Sequence, residues 1–274
     1  MLDGGWAATP PGWRGLGWRS DARPESRAAT LGGGPTTTYQ PAERLQAMDV
    51  DRVDYSVLYP TVAGLAGKTF GRLTDLELEV ACVQAYNDCL IEEWVHVSPR
   101  FIPQCLVPIW PVEATVKELR RALARGHRGV IFPAVPMHLR EVPHINEPEY
   151  DPFWATCQEL EVPVCFHAGA SPQIQFPAYK DLSPGLAAAL SALTRPVSSV
   201  QVVANFLYSR ILMRFPTLKI VFTESSLGWG AYELETAEAV RCVQGNRGEG
   251  EAHLHVSLTP QRRETSVARH HGAG

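Results

Sequence analysis

Two polar residues in this sequence close short apolar runs, where a reactive side chain is both held and reachable. His167 follows Pro-Val-Cys-Phe and precedes Ala-Gly-Ala, and Glu224 follows Lys-Ile-Val-Phe-Thr and precedes Ser-Ser-Leu-Gly-Trp. An imidazole at a strand end, followed by small residues that leave room for a ligand, suits metal ligation or proton transfer. A carboxylate in such a place must be solvated, paired or on a metal, because burying it unpaired is costly. The bland alternatives are a structural histidine and a glutamate that pairs with arginine or caps the next helix. His253 and His255 form an HxH whose rings would share one face of a strand, as a metal pair requires. Their flanks, Gly-Glu-Gly-Glu and Thr-Pro, read as solvated instead. His270 and His271 lie in a polar end, and His96, His127, His138 and His144 fall at helix ends or loops, as surface or structural residues. Other chemistries lack their signatures. Gly32-Gly33-Gly34 is not GxGxxG and follows no strand, and the chain has neither a GxSxG elbow nor a GxxxxGK(S/T) loop.

The elements that must position His167 and Glu224 alternate along the chain. Pro41 opens a helical segment with Leu45 and Met48 on one face, which hands over to an apolar run at 53–59 closed by Pro60. Thr74 and Asp75 offer an N-cap for a long helix whose stripe is Val80, Val83, Leu90, Ile91 and Trp94. A second apolar run follows Pro99. A helix at 112–125 carries Val116, Leu119 and Leu123 inward and ends at Gly126. Further helices are expected at 152–160, as a pair within 185–215, and at 229–242. Strands are expected near 54–59, 101–107, 128–132, 163–167 and 219–224, with a weak sixth at 253–258. Short strands without polar alternation, separated by helices, specify parallel βα units buried on both faces.

The whole composition agrees with a globular body. The chain has 274 residues, 45% hydrophobic and 20% charged, with a formal charge of −4. That balance gives nucleic acid or an anionic membrane no electrostatic support. The longest stretch poor in charge, 182–209, is broken by Arg195 into pieces too short to span a membrane. The first residues carry no basic, apolar leader. Six cysteines without a CxxC pair read as reduced core thiols of a cytoplasmic protein. Residues 1–40 hold eight Gly, four Pro and Trp6, Trp13 and Trp18, which suits an irregular arm. Residues 244–274 have no aromatic residue and few apolar ones, which predicts a polar, disordered tail. The folded body is then 41–243.

Several segments, in order, carry a resemblance. They are Tyr-Gln-Pro-Ala-Glu-Arg-Leu-Gln-Ala-Met-Asp (39–49), Val-Leu-Tyr-Pro-Thr (57–61), Ala-Tyr-Asn-Asp (85–88) and Pro-Arg-Phe (99–101). Gly-His-Arg-Gly-Val (126–130), Val-Pro-Val-Cys-Phe-His-Ala-Gly (162–169) and Phe-Pro-Thr-Leu-Lys-Ile-Val-Phe-Thr-Glu (215–224) complete the set. Together they resemble the amidohydrolase-related family, in its aminocarboxymuconate-semialdehyde decarboxylase-like branch. The resemblance implies a TIM-type (β/α)8 barrel around one divalent metal, zinc or manganese. Its ligands would come from an HxH on the first strand, a histidine ending the fifth and an aspartate ending the eighth. His167 matches the fifth-strand ligand. Glu224 ends the sixth strand, where decarboxylase relatives place a histidine and many other relatives a glutamate, and would position water or act as acid/base.

No HxH precedes residue 253, and no Ser-Asp-Tyr-Pro-His-like segment follows residue 243. The expectation is therefore an incomplete barrel of five or six βα units. As a function, the resemblance implies a metal-dependent hydrolase of a small organic substrate, with impaired activity. A decarboxylase of the same family and a non-catalytic binding remnant are the alternatives. The expected partner is a small-molecule substrate, with self-association left open.

Overall fold

The computed structural model of the chain describes residues 36–60, 63–167, 186, 190, 197–226 and 228–244. Within them five short strands form one sheet: β1 (Ser56–Leu58), β2 (Phe101–Cys105), β3 (Gly129–Ile131), β4 (Val164–His167) and β5 (Ile220–Thr223). The spatial order β1-β2-β3-β4-β5 equals the chain order, and every neighbouring pair is parallel. Helix α1 (Pro41–Val50) precedes the sheet. Helices α2 (Leu76–Cys89), α3 (Val112–Ala124), α4 (Asp151–Glu159) and α5 (Val197–Tyr208) connect its strands, and α6 (Gly228–Gln244) follows it. Sequential parallel strands with a helix in each crossover make up an incomplete (β/α)8 barrel. Residues 1–35 of the expected arm (1–40), the weak sixth strand with His253 and His255, and residues 245–274 of the expected tail (244–274) lie outside the described residues. Thr36–Thr38 form a short 3-10 turn, and Gln244 ends α6.

Local signals explain the helices. The Asp75 carboxylate accepts from the Leu78 amide at 3.1 Å and caps α2. The expected single long helix changes its winding at Leu90, where residues Leu90–Val95 make a wider turn and the His96 amide donates to the Ile91 carbonyl. That turn keeps Leu90 buried and sets Trp94 edge-on to Phe101, 5.2 Å between ring centres. Helix α3 starts after Pro111, buries Leu119 and Ala122, and is followed by Gly126 at φ +115°, a conformation glycine takes at no steric cost.

Alternation along the strands divides the sheet into two faces. Cys105, Val130, Phe132, Val164 and Phe166 pack against Leu119, Phe153, Trp154 and Phe206 of the helices. Aromatic contacts run through this layer, from Phe132 through Phe153, Trp154 and Phe206 to Phe166 and Phe222. On the opposite, inner face Leu106, Ile131 and Cys165 pack with Ala63 and Ala66, which lie in the loop after β1. Buried polar groups tie α2 and α3 to β2. Asn87 accepts from the Leu106 amide at 2.8 Å, while its own amide donates to the Leu106 carbonyl and to Glu118. Among the described residues no helix is long and apolar enough to cross a membrane.

Candidate functional site

His167 is the last residue of β4, and Glu224 directly follows β5, so both stand at carboxyl ends of adjacent strands. His167 pairs in register with Thr223. The two candidate residues meet, with His167 Nε2 3.5 Å from Glu224 Oε2. The imidazole is buried and the carboxylate is 58% exposed, so the pair has one protected partner and one open to solvent. Glu224 adopts φ +53°, and Ser226 follows with φ +57°. A non-glycine residue pays for that left-handed conformation, and such backbone is concentrated at functional sites. Beneath it the buried Ser225 hydroxyl donates to the Thr223 carbonyl, and the Ser199 hydroxyl of α5 donates to Ser225 at 2.8 Å.

Four further inward side chains gather beside the pair. The Tyr59 ring stands edge-on to His167, with ring centres 6.1 Å apart. Its hydroxyl accepts from Thr223 Oγ1 at 3.0 Å and donates to Cys165 Sγ at 3.8 Å. The Cys165 thiol in turn donates to Gln104 Oε1 at 3.4 Å. These bonds cross the inner face from β5 to the residue after β1, then to β4 and β2. Burial raises the pKa of the Tyr59 phenol and pushes the Cys165 thiol up to about 11. Both therefore stay protonated, and Cys165 is no ready nucleophile.

Sequence reasoning singled out His167 and Glu224 and passed over Tyr59, Gln104, Cys165 and Thr223. A signal for Cys165 was present: it lies two residues before His167, on the same face of the strand. Tyr59 sits within the segment 57–61 that carried the family resemblance, without being assigned a role. The expected structural reading of His127 fits the geometry. It is buried, with Nε2 3.1 Å from the Asn87 carbonyl oxygen. His253 and His255 lie outside the described residues.

A divalent metal needs about three protein ligands in a catalytic site. The described residues contain no group of three His, Cys, Asp or Glu side chains that could hold one. His167 and Glu224 alone do not fit such an ion.

The chain belongs to the amidohydrolase family, whose model matches residues 9–244. The match starts well ahead of residue 39, inside the stretch read as an arm. Solved structures share the fold. An amidohydrolase of Mycobacterium avium subsp. paratuberculosis K-10 is 22% identical, with 76% of this chain and 54% of that one covered at a TM-score of 0.57. A 5-carboxyvanillate decarboxylase of Novosphingobium aromaticivorans, complexed with manganese, is 20% identical over 75% of this chain and 56% of its own, also at 0.57. A 2,6-dihydroxybenzoate decarboxylase of Rhizobium is 19% identical over 65% and 54%, at 0.50. The chain thus spans about half the length of each of these structures. No curated protein matches it.

Proposed function

We propose that this chain carries the proton-transfer half of an amidohydrolase-family hydrolase acting on a small organic substrate. The observation behind the proposal is the 3.5 Å approach of His167 Nε2 to Glu224 Oε2 at the ends of neighbouring parallel strands. The exposed Glu224 carboxylate takes a proton from the attacking water, and the buried imidazole beside it stabilises and relays that proton toward the leaving group. His167 matches one ligand position of the family's zinc or manganese site, and no step of the reaction proposed for this pair runs through a metal. A site this short of ligands supports slow turnover.

The test is product formation from a panel of aryl esters, aryl amides and lactones, with and without added zinc or manganese. Slow hydrolysis is expected. Glu224→Gln should lose about a hundredfold in rate, and His167→Ala a comparable factor. Hydrolysis that survives both substitutions unchanged would sink the assignment. A second reading, decarboxylation, draws support from the 5-carboxyvanillate and 2,6-dihydroxybenzoate decarboxylases among the structures of like fold. Carbon dioxide release from carboxylated phenols, without hydrolysis of the panel, would favour it. Binding of panel members without any turnover would favour a non-catalytic remnant.

A further inference from the structure

Tyr59 occupies an unusual position for a tyrosine that merely fills space. It lies just after β1, yet its hydroxyl reaches Thr223 at the end of β5, 164 residues later in the chain. Its ring touches His167, and its own proton is directed at Cys165 Sγ, 3.8 Å away. A thiol is a weak acceptor, and at that distance it holds the phenolic proton loosely. A ligand oxygen brought within reach of the phenol would compete with the thiol for that proton. The surroundings say which oxygen. Ala63, Ala66, Leu106, Ile131 and Cys165 are packed against one another and buried, so the groups beside His167 that stay partly open are Tyr59, Thr223 and Glu224. Glu224 already places an anionic carboxylate beside His167, so a second carboxylate entering there would be repelled.

We propose that the Tyr59 hydroxyl is the hydrogen-bond donor that holds an uncharged carbonyl oxygen of the substrate, on the floor of the site and next to His167. The proposal rests on the hydrolase reading above and deepens it, since esters, amides and lactones carry such an oxygen whereas a decarboxylation substrate presents a carboxylate. Thr223 fixes the phenol by donating to it, and the weak thiol bond leaves the phenolic proton available.

Benzamide and benzoate, titrated by ligand-observed NMR against the full chain, test this. Benzamide should bind at least tenfold tighter than benzoate. Tyr59→Phe keeps the ring and removes only the hydroxyl, and should weaken benzamide about tenfold, as one hydrogen bond predicts. Tyr208→Phe, which removes an exposed tyrosine hydroxyl on α5, should change nothing. Cys165→Ser replaces the weak acceptor by a competing hydroxyl and should also weaken benzamide. Thr223→Val, which breaks only the supporting bond, should cost less than Tyr59→Phe. No benzamide binding to the unmodified chain, equal binding by Tyr59→Phe, or equal losses in Tyr59→Phe and Thr223→Val would each overturn the proposal. The hydrolase reading fails separately, on the turnover assay. If turnover is present and Tyr59→Phe leaves KM unchanged, the donor assignment alone falls.

Discussion

His127 illustrates how a single residue couples the fold to pH. It sits buried just before β3, with Nε2 against the Asn87 carbonyl, while Nδ1 has no hydrogen-bond partner among the described residues. The neutral ring with its proton on Nε2 satisfies this arrangement, and a second proton on Nδ1 would be buried without an acceptor. Burial accordingly pushes the His127 pKa below its usual value. The unfolded chain then takes up the proton first as pH falls. This contribution to stability is full above the unfolded value of about 6.5 and is lost as pH drops from there toward the lowered folded value. Thermal melts across that window should show a falling Tm, with a shallower fall in His127→Gln. Parallel curves for the two proteins would show that other groups set the acid limb.

At the scale of elements, β2 and β3 are fitted to one another around a side chain that packs where a methyl group would otherwise stand. Gln104 pairs in register with Gly129, and a Cβ built on Gly129 would overlap the Gln104 side-chain amide. Gln104 is buried and accepts from the Cys165 thiol, so it has no free route aside. Gly129→Ala should therefore destabilise the chain by about 2 kcal/mol in urea unfolding, from overpacking and a displaced buried amide. Adding Gln104→Ala should recover part of that loss, because the two changes share one space. Strictly additive losses would contradict this packing. Elsewhere, local sequence announces the elements well. Asp75 starts α2 and Gly126 follows α3, as the capping pattern indicates. The altered winding at Leu90 is different, because it answers to Phe101 on β2 and not to any breaker in its own segment.

At the scale of the molecule, the incomplete barrel keeps one face of its sheet well covered and the other only in part. Leu58 is buried against Met48, Leu90 and Phe101, whereas its neighbour Val57, pointing the other way, is 45% exposed. At the far edge Phe222 packs under the helices while Val221 is 40% exposed. An intact barrel would cover both valines from the opposite wall. The dye anilinonaphthalene sulfonate should bind the native chain at this face. Val57→Lys with Val221→Lys should reduce that fluorescence while changing the Tm little, since both sites are already open to water. Unchanged fluorescence would place the dye elsewhere.

By itself, the sequence determined where strands and helices lie and which two polar residues end adjacent strands. Those features depend on periodicity, caps and strand ends, which are local. His167 and Glu224 were legible because an apolar run that stops at one polar side chain is visible within six residues. Tyr59 beside Thr223, Cys165 against Gln104, and Asn87 against Glu118 were decided only in three dimensions. A phenol, a thiol or an amide carries no mark of its distant partner, and which partner it meets depends on how the sheet curls. Alternation told which residues share a face, but coverage of that face is a property of the assembled sheet, so the exposure of Val57 and Val221 emerged only with the tertiary structure.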